Sequence, residues 1–168
     1  MKYPLYVLLL VIACRMSSKA QTSTQDKVDD VVFGIYCESC KKQCAIMYHY
    51  TSTDSTTLYV DSTDNYFQSH KLNTPLVCHT PTHDREKIEA VRALLKDVPD
   101  DMLYRTDVNR TFGCPDCSDQ CGIYMEFTNH QTRYRFYIDT DTSMLNERMG
   151  TFVKKVKSVV EFLKSKSK

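Results

Sequence analysis

The sequence predicts an α+β fold: a duplicated β-β-α unit whose hairpins share one antiparallel sheet, with two helices packed on one face and disulfides stapling the halves. Three observations carry this. The stretches FGIYCESCKKQCAIMYHYT, ending at Thr51, and FGCPDCSDQCGIYMEFT, ending at Thr128, each place C-x2-C-x3-C directly ahead of a strand-like run. Laid over each other at a spacing of 77 residues, Cys37 falls on Cys114, Cys40 on Cys117 and Cys44 on Cys121. Each run is followed by a second alternating run and then by a helical stripe.

The chain opens with Lys2 and an uncharged apolar run from Tyr3 to Ala13, the length of a signal-peptide core and too short to span a bilayer comfortably. Two processing readings stand side by side. Ser18-Lys19-Ala20 offers small residues at both specificity positions of a signal peptidase, so that residues 1–20 are removed as a signal peptide. Val11-Ile12-Ala13-Cys14 resembles the lipobox of bacterial lipoproteins, in which Cys14 is lipidated and becomes the mature N-terminus; Arg15, directly after the apolar run, suits it. Both imply export, to the periplasm, to the outer membrane through a lipid anchor at Cys14, or to the medium. Residues 21–31 read as a flexible N-terminal segment. Residues 32–165 read as a single domain of two half-repeats, 32–98 and 110–165.

Removing residues 1–20 from the 168-residue chain leaves 148, enough for one domain with a real core. Lys2, Arg15 and Lys19 leave with them, so 19 of 22 basic residues face 21 acidic ones and the mature formal charge is −2. That excludes a nucleic-acid partner, which needs a concentrated basic surface. The cluster Lys154, Lys155, Lys157, Lys164, Lys166 and Lys168 reads as the solvated face and favourable end of a helix.

In the first hairpin, Ile46, Tyr48 and Tyr50 alternate with a mixed face, as a half-buried strand does, and Leu58 and Val60 alternate before Asp61. In the second, Ile123, Met125 and Phe127 take the equivalent places, and Tyr134, Phe136 and Ile138 alternate before Asp139. Thr53-Asp54-Ser55 and Asn129-His130-Gln131 supply the turns. An extended piece is expected near Tyr66-Phe67 and Leu76-Val77. A first helix follows Asp84, with Ile88, Val91, Leu94 and Leu95 on one face, Thr82 or Asp84 as cap, and Pro99 as its stop. A second follows Ser143 as cap, with a stripe of Leu145, Met149, Phe152, Val153, Val156, Val160 and Leu163. The inward faces of the four strands should form one core with these stripes.

The thiols admit two chemistries. Two C-x2-C pairs would hold zinc in a cytosolic chain, since tetrahedral zinc takes thiolates from two such knuckles. In an oxidising compartment, clustered cysteines of a small domain form disulfides, and the leader favours that for Cys37, Cys40, Cys44, Cys114, Cys117 and Cys121, with at least one bridge joining the two clusters. Cys78 lies outside the repeat and is the odd thiol, free or intermolecular. It opens Cys78-His79-Thr80-Pro81-Thr82-His83, a metal-ligating composition whose plainer reading is a solvated loop. No haem-attachment C-x-x-C-H occurs.

Little supports an enzyme. The chain has four glycines, no phosphate-binding loop, no H-E-x-x-H and no G-x-S-x-G, so no catalytic residue is nominated. The pairs Asp61 with Asp64 and Asp139 with Asp141 are explained by turn and helix-entry chemistry. Asn109-Arg110-Thr111 is a glycosylation sequon only in a eukaryotic secretory pathway.

The run Arg110-Thr111-Phe112-Gly113-Cys114-Pro115-Asp116-Cys117 before an amphipathic strand, the earlier Phe33-Gly34 with its nearby cysteines, and the leader ending in Lys19-Ala20-Gln21 resemble uncharacterised small exported proteins of Bacteroidota that carry a G-C-P-D-C motif. Asp119 and Gly122 fit the pattern, whereas Gln120 and Cys121 stand where that group has small residues. The resemblance implies export and a shared fold and carries no activity.

Two functional classes follow. The first is a non-catalytic exported binding or structural module of the cell envelope, without cofactor, meeting an unknown protein or envelope component. Its contact surface would be the sheet face away from the helices, with Met47, His49 and Tyr59 from the first hairpin and Tyr124, Glu126, Arg133, Arg135 and Tyr137 from the second. The second is a zinc-binding or thiol-redox protein built on the repeated cysteines.

Overall fold

A computed structural model describes residues 30–103, 107–115, 117, 121–129 and 132–165. The expected leader, residues 1–20 with Cys14, residues 21–29, and Asp116, Asp119, Gln120, His130, Gln131, Lys166 and Lys168 lie outside the described residues.

The fold is mixed α+β, built on a seven-stranded sheet of order β4-β3-β2-β1-β6-β7-β5. Its strands are β1 (Asp30–Cys37), β2 (Ala45–Thr51), β3 (Leu58–Asp61), β4 (Thr80–Thr82), β5 (Asn109–Phe112), β6 (Cys121–Asn129) and β7 (Thr132–Asp139). The helices are α1 (Asn65–Leu72), α2 (Arg85–Lys96), α3 (Asp100–Leu103) and α4 (Glu147–Lys164).

The centre of the sheet is β1, which pairs antiparallel with β2 on one side and with β6 on the other. The sequence reading missed it and ran its flexible segment to residue 31, although β1 begins at Asp30. The physical reason is that DVVFGIYC is apolar on both faces, so it shows no alternation. Val31 and Phe33 point into one core, Val32 and Tyr36 into the other. Gly34 lets the flanking strand lie close, since a Cβ there would strike the Ile46 carbonyl oxygen and meet Met47 Sδ at 2.7 Å. The ring of Tyr36 lies over Gly122, its partner in register.

The two hairpins form where the alternation places them, β2 with β3 and β6 with β7. Ile46, Tyr48, Tyr50, Val60, Ile123, Met125, Phe127, Phe136 and Ile138 all belong to one core with Phe152, Val156 and Val160 of α4. Ile88, Val91, Leu94 and Leu95 of α2 pack into the same cluster. Asp84 caps α2, its Oδ1 accepting from the N–H of Glu86 at 3.0 Å and of Lys87 at 3.3 Å. The cap of α4 is Asn146, whose Oδ1 accepts from Met149 N at 2.9 Å; Ser143, the expected cap, sits in a preceding 3-10 turn, Thr142–Met144, entered by Asp141. Lys87 then ties the helices together, its Nζ donating to the carbonyls of Leu163 at 2.9 Å and Ser165 at 2.6 Å, where α4 exposes its last acceptors.

Three expectations are corrected. The sheet is not purely antiparallel, because β5 runs parallel to β7 at the outer edge. That direction carries the chain to the end of β7, where Cys114 N–H meets Asp139. The two halves are also laid out differently: β1 lies between the hairpins while β5, ahead of the second cluster, lies outside them. Finally, Tyr66-Phe67 is helical and belongs to α1, which lies on the sheet face opposite α2 and α4 and buries Tyr66 with Val32, Tyr36, Met47 and Tyr124.

Two substitutions test the packing. Phe127→Ala should destabilise by about 3–5 kcal/mol in urea unfolding, the usual cost of emptying a buried aromatic site. Gly34→Ala should cost about 3 kcal/mol, the upper end of the usual overpacking range, because a backbone oxygen cannot be repacked as a side chain can.

Candidate functional site

The cysteines gather at one end of the sheet, where β1 and β7 finish and β2 and β6 begin. Three pairs lie at disulfide distance: Cys37 with Cys121, Cys40 with Cys44, and Cys114 with Cys117. Cys37 and Cys121 are register partners on β1 and β6, with Cα atoms 4.1 Å apart, and join positions 84 residues apart in sequence. Their pair spans the two clusters, and it is β1, lying between β2 and β6, that brings the two thiols together. The other two are local, with separations of 4 and 3 residues.

Carboxylates organise the backbone around them. Asp64 Oδ1 accepts from Ala45 N at 2.7 Å, directly after Cys44, and Asp139 Oδ2 accepts from Cys114 N at 2.9 Å. Asp139 Oδ1 takes Asp141 N at 2.8 Å, and Asp141 Oδ1 takes Ser143 N at 2.9 Å, which holds the Asp141 carboxyl below its ordinary range. Asp61 Oδ1 accepts from Thr63 N, Thr63 Oγ1 and Asn65 Nδ2. Asp61, Asp139 and Asp141 therefore do the turn chemistry their positions suggest, whereas Asp64 makes no side-chain bond to the helix it enters and reaches Ala45 instead. Gly113, at φ +71°, makes the tight approach to Asp139 that a Cβ would obstruct.

Cys78 is buried and outside the pairs, its Sγ 3.8 Å from the Met47 carbonyl. Burial, with the nearby Asp61 charge adding to it, pushes the thiol up from 9.0 to about 12. His79 and His83 are exposed, and His83 Nδ1 lies 3.3 Å from Thr57 Oγ1. Among the described residues no three His, Cys, Asp or Glu side chains converge as a metal site.

The expected contact face is mostly a second core. Met47, Tyr124 and Glu126 are buried, at 0%, 5% and 5% exposure. Glu126 is tolerable there because it is paired: Tyr124 O–H donates to its Oε2 at 2.7 Å, Arg135 Nε at 2.8 Å, and Arg133 Nη1 lies 3.8 Å away. Burial and the neighbouring Glu126 push Tyr124 upward. Arg135 Nη1 also donates to Asn73 Oδ1 at 2.5 Å, and Tyr137 Oη lies 3.2 Å from His70 Nδ1, which fastens α1 over the sheet. At the margin, His49 pairs with Asp30, and its ring lies 6.1 Å from that of Tyr59. The signal for α1 was faint, since NYFQSHKL carries no apolar stripe; the flanking Asp64 and Asn73, both left-handed, are its only local punctuation.

Elsewhere, Lys154, Lys155, Lys157 and Lys164 are exposed along α4, with Lys155 paired to Asp97 and Lys164 to Glu161. Asn109 and Thr111 of the sequon are exposed on β5. No helix among the described residues is long and apolar enough to cross a membrane. Comparison with protein-family models, characterised proteins and solved structures finds no match to this chain.

Because a disulfide stabilises roughly with the logarithm of the loop it closes, replacing Cys37 and Cys121 together with Ser should cost about 4–5 kcal/mol, and replacing either local pair about 2 kcal/mol. Urea unfolding of the three double variants checks the order. A second outcome concerns alkali. The unfolded chain ionises Cys78 near 9.0 and the folded one only near about 12, so the folded state holds more protons in that window and stability falls as pH rises through it. Cys78→Ala should flatten the start of that decline; Tyr48 and Tyr124, both raised above 10.0 by burial, sustain its upper part.

Proposed function

We propose that the protein is a non-catalytic, exported structural or binding module of the cell envelope, held rigid by one disulfide between its two cysteine clusters and one inside each. The observation that carries the reading is Cys37 against Cys121, one pair across the central strands of the sheet. Thiols at bonding distance are compatible with an oxidising compartment, and the leader supplies the route. The lipobox at Cys14 would anchor the module to the outer membrane; cleavage after Ala20 would release it to the periplasm or the medium.

We also read the hairpins as descendants of a duplicated β-β-α unit. The support is that residues 77 apart, Ile46 with Ile123 and Tyr50 with Phe127, enter the same core on the same face. With α1 seated on the other face, partner contact on that side falls to half-buried residues, His49 on β2, Tyr59 on β3 and Arg133 and Tyr137 on β7.

Mass measurement of the purified protein after alkylation, without reductant, tests the reading. In native conditions all six repeated cysteines should be blocked and Cys78 unmodified; in denaturant only Cys78 should react. Six reactive thiols with stoichiometric zinc would replace this reading with the metal-binding one.

A further inference from the structure

The three cysteine pairs differ in what depends on them. Cys37 and Cys121 are half-buried within hydrogen-bonded strands and close 84 residues of sequence. Cys40 is exposed but Cys44 is half-buried, and its carbonyl receives Cys37 N–H at 2.7 Å, completing the β1–β2 connection. Cys114 and Cys117 are both exposed, lie outside every strand, and close the shortest loop of the three. Nothing in the sheet waits on their bond. Cys114 N–H stays on Asp139, and Cys117 N–H donates to Cys114 O at 3.1 Å, so the turn is held by the backbone whether or not the sulfurs are joined.

An exposed C-x-x-C pair whose opening leaves the scaffold in place is suited to exchange, because both residues are open to solvent and less folding free energy opposes its reduction than that of Cys37–Cys121. We propose that Cys114 and Cys117 form a dithiol–disulfide exchange site that takes electrons from a dithiol of a partner protein, while Cys37–Cys121 holds the scaffold. In the first step a partner thiolate attacks one sulfur of the pair. A mixed disulfide forms, the Cys114–Cys117 bond breaks, and the other sulfur leaves as a thiolate that takes up a proton. The partner's second thiol, deprotonated, then attacks its own sulfur in the mixed disulfide and releases the remaining cysteine. Two electrons and two protons have passed to the protein, and the partner keeps a disulfide.

The test is graded reduction of the purified protein with dithiothreitol, quenched by alkylation and read by peptide mass, with far-ultraviolet circular dichroism in parallel. Cys114 and Cys117 should become alkylated at a dithiothreitol concentration at least ~10-fold below that needed for Cys37 and Cys121, with the spectrum unchanged. The oxidised protein should also oxidise a reduced Cys-x-x-Cys peptide, one peptide disulfide per protein, and the variant carrying Cys114→Ser and Cys117→Ser should not. Opening of Cys114–Cys117 only with or after Cys37–Cys121 would overturn the proposal, as would equal peptide oxidation by the double variant. Either result leaves the proposed tie of Cys37 to Cys121 untouched, since the blocking of thiols in the unreduced protein does not depend on their order of opening.

Discussion

The backbone pairing of β1 with both hairpins is the constraint from which the rest of the structure follows. Without it, β2–β3 and β6–β7 are two hairpins with no shared edge; with it, they form one sheet wide enough to support α2 and α4. The strand can occupy the centre because its residues are apolar on both faces and because Gly34 admits the close approach of Ile46 and Met47. The Cys37–Cys121 pair adds a covalent tie at the end of the same ladder, where register already places the two residues opposite each other. Covalent and hydrogen-bonded order thus specify one register, since a slip of one residue would send both the core side chains and the thiols to the wrong face.

Much of the helix-bearing side was legible from residue spacing. The alternation of Ile46, Tyr48 and Tyr50 and of Ile123, Met125 and Phe127 identified their inward face, and the stripe from Met149 to Leu163 identified the helix that covers it. Patterns of this kind are readable when one face is wet. They fail for β1, where both faces are dry, and for α1, whose eight residues bury only Tyr66, with Phe67 half-buried against the same core. Missing α1 in turn made Tyr124 and Glu126 look like a free surface. A buried carboxylate is visible in sequence only once its partners are known, and Arg135, nine residues on, meets it through the cross-strand register of β6 and β7.

The cysteine end shows the same limit in another form. Repeated spacing revealed that the two clusters correspond, but spacing alone treats all six thiols alike. Tertiary placement separates them, with one pair in the ladder, one completing a connection between strands, and one in a solvated turn held by Asp139. The aspartate that enters α1 and the one that ends β7 serve the same purpose on both sides, since Asp64 and Asp139 each take a backbone N–H at or beside a cysteine. Turn chemistry and cysteine geometry are therefore coupled here, and neither is interpretable in isolation.

The position of β1 also sets an order of events for a chain made from its N-terminus. Among the described residues β1 is the first strand to emerge, yet its second neighbour, β6, begins 84 residues after Cys37. Through that interval one long edge of the most apolar strand has no partner, which is the condition under which nascent chains associate with one another. During the same interval Cys37 has only Cys40, Cys44 and then Cys78 within its own half, so early oxidation would trap it away from Cys121. Oxidation only after synthesis would remove that conflict, and a holding chaperone acting before it would have β1 as its natural target.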